Sequence, residues 1–161
     1  MNSRAGQKAR KERGATMALD DDSLQITDRG RPRSDRAFLR RVVRAALEHG
    51  GVPQMPVSLL LTDDAEIGGI HGEFLGDRRP TDVISFALDG AAELVVSVET
   101  AARQARVHGH STRAEVALYV VHGLLHLCGF DDKGARARAR MRAAERAVLH
   151  TLGIEIGNVD G

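Results

Sequence analysis

Two histidines, four residues apart at the end of an unbroken apolar run, constrain this chain more than any other feature. Residues 116–121 lead into His122 and His126 and contain neither Gly nor Pro, so the run predicts a buried helix. On a helix, residues four apart share one face with Cβ atoms about 5–6 Å apart. Two imidazoles at that separation can bind one metal ion.

The residues that follow complete a metal-binding pattern. Gly129 lies three residues beyond His126, where a glycine commonly adopts the left-handed conformation that ends a helix. The chain can then turn back and bring Asp131 or Asp132 toward the same ion. Two histidines and a carboxylate are a recurrent ligand set for a catalytic metal. The alternative is a core helix with two hydrogen-bonded histidines, but the glycine and the aspartates at this spacing favour a metal site.

The motif has the spacing of a zinc-peptidase signature but differs from it at two residues. Histidines at the first and fifth positions, a glycine at the eighth and a ligand at the eleventh match the signature H-E-x-x-H-x-x-G-x-x-H. Here Gly123 stands where the general-base Glu belongs, and Asp132 where the third His belongs. Without that Glu, nothing in the motif activates water for peptide hydrolysis. A metzincin-like metallopeptidase is therefore a disfavoured alternative.

Composition and charge argue against several classes of protein. The 161 residues carry a formal net charge of +1 at pH 7, so the chain is not a polycationic nucleic-acid binder. Aromatic residues make up 3% of the chain and Trp is absent, which argues against a base-stacking platform. Cys128 is the one cysteine, which excludes an intrachain disulfide and is typical of a reducing compartment. Because no apolar run approaches the ~20 residues of a membrane span, we expect a cytoplasmic protein.

Composition also predicts the domain organisation. Residues 1–22 combine a basic stretch with three consecutive aspartates and almost no apolar side chains, a composition typical of disorder. We expect a single domain over residues 23–155 and a short C-terminal tail over residues 156–161.

Hydrophobic periodicity predicts strands and helices in mixed order. Alternating or aliphatic runs predict strands, and 3.6-residue stripes predict helices. The predicted strands cover residues 23–27, 56–61, 82–87 and 93–98, and the predicted helices cover residues 36–47, 64–74, 99–107, the histidine-bearing segment from 112, and 135–152. This order predicts an α+β fold with one mixed sheet of about four strands, about five helices and the metal site on a central helix.

Two interpretations of Glu115 are open. It precedes His122 by seven residues on the same helix face, so it is a candidate to orient a metal ligand. It also follows Thr112 by three residues, as the Glu of a capping box does. Four other histidines lack a suitably spaced partner and are expected at the surface: His71, His108, His110 and His150.

Three segments resemble those of a known family. Residues 80–86 (PTDVISF) resemble its PTDVLSF motif, residues 93–97 (ELVVS) its G-D-I-V-I-S strand, and residues 122–132 its HGxLHLxGYDH motif. Met141 and Glu145 fit the M-x-x-x-E that follows in the family. Over roughly residues 23–153, the chain therefore resembles the YbeY family of bacterial rRNA maturation factors.

This resemblance implies an activity, partners and a site. It implies a zinc-dependent, single-strand-specific endoribonuclease acting in 16S rRNA 3′-end maturation and in ribosome assembly or quality control. Precursor rRNA and ribosomal particles are the implied partners. His122 and His126 are the implied zinc ligands, and position 132 is where the third ligand belongs. The alternative is a non-enzymatic ribosome-assembly factor with a structural zinc.

The chain departs from the family pattern at two positions. Asp132 replaces the third histidine. A carboxylate is a competent zinc ligand, and it also suits other divalent metals. Leu75, after Phe74, replaces the family's Arg. Arg78 and Arg79 follow shortly afterwards and are candidates to bind RNA phosphate, since a guanidinium binds phosphate through two parallel hydrogen bonds.

Overall fold

A computed structural model describes residues 23–76 and 81–157. These residues form, in order, β1 (Leu24–Asp28), α1 (Arg36–His49), β2 (Val57–Thr62), α2 (Asp64–Leu75), β3 (Val83–Leu88), β4 (Ala91–Ser97), α3 (Val98–His108), α4 (Thr112–Leu127) and α5 (Ala135–Thr151). Every predicted strand and helix is present, because the periodicity of the apolar residues reflects the local backbone geometry. The segment 1–22, predicted to be disordered, and the candidate phosphate-binding residues Arg78 and Arg79 lie outside the described residues.

The four strands form one mixed sheet in the order β1-β2-β4-β3. β2 pairs in parallel with both β1 and β4, whereas β3 pairs with β4 in the antiparallel sense. The antiparallel pair is joined by the short turn at Asp89 and Gly90. The parallel pairs require crossover connections, which contain α1 and α2. The predicted α+β fold with a mixed four-stranded sheet is confirmed.

The two faces of the sheet carry different layers. Helices α1, α3, α4 and α5 cover one face, where their apolar residues pack against Leu94 and Val96 of β4. Helix α2 covers the other face, where Ile67 packs with Ile84 and Val95. Since side chains alternate along a strand, neighbouring residues of β4 contribute to opposite clusters.

Helix α4 lies at the centre of the larger layer, where it contacts α1, α3, α5, β3 and β4. It ends before Gly129, which has φ 102°, so the predicted glycine turn is confirmed. His122 is partly buried and His126 is exposed. Of the two histidines on this helix, His122 therefore lies nearer the core and His126 nearer the surface. Within the described part of the chain, no helix combines the length and the apolar character needed to cross a membrane.

The start of α4 differs from the predicted capping box. Ser111 is the N-cap, and its hydroxyl accepts the N–H of Ala114. Glu115 is fully buried and binds two histidine side chains instead. The capping-box interpretation of Thr112 and Glu115 is therefore wrong.

Candidate active site

The three predicted metal ligands converge on one cavity at the end of α4. This cavity, of about 260 Å³, is lined by His122, His126 and Asp132. Nε2 of His122 lies 4.0 Å from Oδ2 of Asp132. Zinc bonds to nitrogen or carboxylate oxygen are about 2.0–2.2 Å long, so two of them span up to roughly 4 Å. The separation therefore fits one ion between these two side chains.

A buried carboxylate determines the orientation of His122. Glu145 on α5 is fully buried, and its Oε1 lies 3.3 Å from Nδ1 of His122. Nδ1 then donates its proton, which leaves the lone pair of Nε2 facing Asp132. This hydrogen bond also raises the pKa of His122. Metal-binding histidines usually donate their second N–H to such a carboxylate, so the support of His122 by Glu145 fits a zinc ligand.

The two aspartates left open by the sequence lie in different positions. Oδ1 of Asp131 accepts the N–H of Lys133 at 2.9 Å, and this bond lowers the pKa of Asp131. Asp132 instead lines the cavity with the two histidines. Asp131 therefore stabilises the loop, and Asp132 is the carboxylate next to the candidate ligands.

Two further side chains line this cavity without any signal in the local sequence. His71 from α2 and Asp82, just before β3, lie beside His122 and His126. His71 is partly buried, so it is less exposed than the surface position predicted for it. Asp82 belongs to the segment 80–86 that carries the family resemblance, yet the motif assigned it no role. Packing of α4 on β3 brings Asp82 to the cavity with the histidines. Periodicity along the chain could not predict this proximity.

A second cluster surrounds Glu115. Each carboxylate oxygen of Glu115 lies 3.0 Å from Nδ1 of His108, and Oε2 also contacts Nε2 of His110. Candidate ligand atoms of the three residues lie within 4.8 Å of one another, which makes them a candidate metal group. The side chains of His108 and His110 are only 20% and 5% exposed. Their predicted surface positions are therefore wrong.

Hydrogen bonds account for this second cluster without an ion. Nδ1 of His110 accepts the N–H of Gly157 at 2.8 Å, so the ring proton lies on Nε2 and is donated to Glu115. Tyr119 also hydrogen-bonds to Glu115, and burial together with this carboxylate raises the pKa of Tyr119. A metal on Nε2 of His110 would move the ring proton to Nδ1, where it would oppose the Gly157 N–H. The contact with Gly157 therefore favours a hydrogen-bonded cluster.

A larger cavity of about 690 Å³ borders both clusters. Its wall includes His108, His122 and Asp132, together with the cationic side chains of Arg103 and Arg142. Its volume is that of a site for a drug-sized or larger ligand. The candidate zinc ligands thus lie at the wall of a space that can admit a substrate.

Packing explains the glycine between the two histidines. A Cβ at Gly123 would lie 3.1 Å from Cδ2 of Leu94 and 3.3 Å from Cγ2 of Val83. Helix α4 therefore lies close to β3 and β4 at this residue. The glutamate that zinc peptidases carry at this position would be forced against the sheet, which argues further against the metallopeptidase alternative.

We expect Gly123→Glu to lower the free energy of unfolding by at least about 3 kcal/mol, because it combines overpacking with an unpaired buried carboxylate. Urea unfolding measures this loss. The matched control is Gly69→Glu, since Gly69 is exposed on α2 and a Cβ there meets nothing within 4 Å. Similar losses in the two variants would contradict the packing explanation.

Comparisons with known proteins extend over nearly the whole described chain. The family model "Endoribonuclease YbeY" matches residues 25–153. The Endoribonuclease YbeY of Heliobacterium modesticaldum is 35% identical, covering 73% of this chain and 83% of that protein. The Pelotomaculum thermopropionicum relative of the same name is 38% identical, covering 78% and 93%. The Chloroflexus aggregans relative, also of this name, is 36% identical, covering 84% and 94%.

A solved structure agrees with the fold. The solution structure of a Thermotoga maritima protein superposes with a TM-score of 0.58 at 24% identity, covering 81% of this chain and 91% of that one. This likeness concerns the fold alone. The family match and the sequence relatives confirm the predicted family: the chain belongs to the endoribonuclease YbeY family.

Proposed function

We propose that this chain is a zinc-dependent endoribonuclease that cleaves single-stranded RNA, with His122, His126 and Asp132 as the metal ligands. One observation carries the proposal. These side chains line one cavity, and the buried Glu145 orients His122 so that Nε2 faces Asp132. Three protein ligands leave a fourth position for water or substrate, as catalytic zinc sites do.

Zinc is assigned to this site rather than to the cluster around Glu115. In that cluster, Nδ1 of His110 accepts the N–H of Gly157. A metal bound to Nε2 of the same ring would require a proton on Nδ1, which this hydrogen bond opposes. When bound between His122, His126 and Asp132, zinc would supply a Lewis acid that polarises a phosphate oxygen and activates water. The carboxylate ligand also suits another divalent ion.

The substrate and the setting follow from family membership. We propose precursor rRNA as the substrate, with a role in 16S rRNA 3′-end maturation and in ribosome assembly or quality control, in contact with ribosomal particles in the cytoplasm. The catalytic domain spans residues 23–155, flanked by the segments 1–22 and 156–161. Arg78 and Arg79 are candidates to bind RNA phosphate, and so are the cationic residues that line the larger cavity.

Metal removal tests this proposal. The purified chain is treated with chelator, zinc is restored, and cleavage of a single-stranded RNA and of its duplex is measured at each stage. We expect cleavage of the single strand that disappears with chelator and returns with zinc, and little cleavage of the duplex. Zinc that remains bound without any cleavage would support the assembly factor with a structural zinc. Cleavage that persists in chelator would exclude a metal-dependent mechanism.

A further inference from the structure

Helix α5 concentrates positive charge on the surface beside the candidate active site. Its sequence contains five arginines and one acidic residue, Glu145, which is fully buried. In the first half of the helix, Arg136, Arg138 and Arg140 are exposed, and these three side chains form the α5 arginine surface. The exposed charges of this half are therefore all positive, although the whole chain has a net charge of only +1.

The other face of the sheet offers a polyanion little positive charge. Helix α2, which covers that face, contains Asp64, Glu66 and Glu73 but neither Lys nor Arg. Arg29 and Arg103 form ion pairs with Glu66 and Asp64, so the charges of these two cations are already matched. An RNA strand is therefore drawn toward the side of the molecule that carries α5.

The α5 arginine surface flanks a strip of small side chains. On a helix with 3.6 residues per turn, Arg136 and Arg140 lie on one side of Ala139 and Ala143, and Arg138 lies on the other side. Both alanines are exposed. A sugar–phosphate backbone can therefore approach the helix closely here, with guanidinium groups on both sides of it.

The positions of these arginines are unfavourable for an isolated helix. Arg136 and Arg138 are among the first four residues of α5, and its first turn contains no acidic residue, although the helix dipole favours negative charge there. Arg136 and Arg140 are four residues apart, a spacing at which like charges repel each other. A bound polyanion would offset both effects, so the pattern favours a surface that contacts phosphates.

The α5 arginine surface is continuous with the larger cavity. Asp132 lines this cavity and precedes the first residue of α5 by three residues. Arg142, one turn after Arg138 on the same side of the helix, also lines the cavity. A strand that is held beside Asp132 can therefore pass directly onto the α5 arginine surface as it leaves the cavity.

We propose that the α5 arginine surface binds phosphates of the RNA strand outside the cavity, next to the segment that is cut. This inference rests on the proposed function, because that function supplies RNA as the ligand. A guanidinium binds phosphate through two parallel hydrogen bonds, and phosphate contacts position a strand without reading its bases. RNA is favoured over an acidic protein because the surface continues the cavity that holds the substrate.

The salt dependence of RNA affinity tests this inference separately from cleavage. The zinc-loaded full chain is titrated against labelled, 2′-O-methylated single strands of about 4 and about 16 nucleotides, the usual range of single-strand site sizes, and a gel verifies that the strands stay intact. We expect a steeper slope of log K against log salt for the longer strand, because it extends beyond the cavity. The triple variant Arg136→Gln, Arg138→Gln, Arg140→Gln should lower that slope by about 2, since each lost phosphate contact removes about 0.7.

Two further triple variants are the controls. Lysine at the same three positions of α5 keeps the charge and should keep the slope. The variant Arg31→Gln, Arg41→Gln, Arg106→Gln removes the same charge from exposed positions outside α5 and should also keep it. Glutamine and arginine have similar helix propensities, and circular dichroism verifies that each variant is folded.

The remaining outcomes are distinct. Equal slopes for the two strands in the unaltered chain, or an unchanged slope in the glutamine variant of α5, would overturn the inference. An equal fall in slope for the variant outside α5 would assign the effect to net charge and would overturn it too. If the unaltered chain neither binds these strands nor cleaves unmodified RNA, the proposed function itself fails. If it does both while the α5 variant keeps the slope, only this inference fails.

Discussion

Replacing His126 by Ala is expected to reduce RNA cleavage at least about 100-fold and to release zinc from the purified chain. Loss of a residue that merely supports a metal ligand costs about 10–100-fold, so loss of a ligand should cost at least the upper end of that range. His126 is exposed at the cavity it shares with His122 and Asp132, so truncation should leave the core intact. Zinc content by mass spectrometry and the cleavage rate of a single-stranded RNA measure the two effects.

Two histidine controls sharpen this prediction. His150→Ala removes a histidine exposed on α5 and should leave both zinc content and cleavage unchanged. His108→Ala opens the cluster around Glu115 and should leave the zinc in place. Zinc lost from the His108 variant and kept by the His126 variant would move the metal to the second cluster and refute the assigned ligands.

Replacing Glu115 by Ala is expected to lower the free energy of unfolding by about 3–5 kcal/mol, as loss of one partner from a buried charged network does. The carboxylate is fully buried and accepts hydrogen bonds from His108, His110 and Tyr119. Its loss leaves the donors of His108, His110 and Tyr119 without their acceptor. Urea unfolding measures the change.

The control for this variant is Glu48→Ala, since Glu48 is an exposed helical glutamate on α1 and should cost less than about 0.5 kcal/mol. The loss in Glu115→Ala should be the same with and without chelator, because hydrogen bonds account for the cluster. A loss that disappears once metal is removed would instead make Glu115 a metal ligand. A loss below about 1 kcal/mol would refute the buried network.

The candidate metal-binding motif could be predicted from the sequence because its members are close in the chain. His122 and His126 share one face of a single helix, and Gly129 turns the following loop back toward them. Fewer than a dozen consecutive residues thus determine the group, and helical geometry alone relates the two histidines. The strands and helices also lie where periodicity predicts them, because they too depend on residues that are close in the chain.

The surroundings of that motif depend on packing between distant segments. Glu145 reaches His122 from α5, and His71 on α2 and Asp82 just before β3 line the same cavity. The sequence contained each of these residues, and the family motif even included Glu145. Neither periodicity nor spacing could state which side chain each of them contacts, because those contacts form across separate elements.

The cluster around Glu115 is the clearest case of contacts that local sequence patterns could not predict. His108 and His110 have no partner at a helical spacing, and Glu115 resembles a capping residue when only its neighbours along the chain are considered. In the folded chain, the end of α3, the loop and the first turn of α4 bury the carboxylate, and burial makes hydrogen bonding to both histidines necessary.

The sequence by itself therefore determined the secondary structure, the fold class and the histidine pair, since all of these follow from local backbone geometry and apolar pattern. Only the tertiary structure decided the close approach that requires Gly123, the orientation of His122 by Glu145 and the place of Arg142 at the cavity. These features depend on which buried surfaces meet, and that is a property of the whole packed chain.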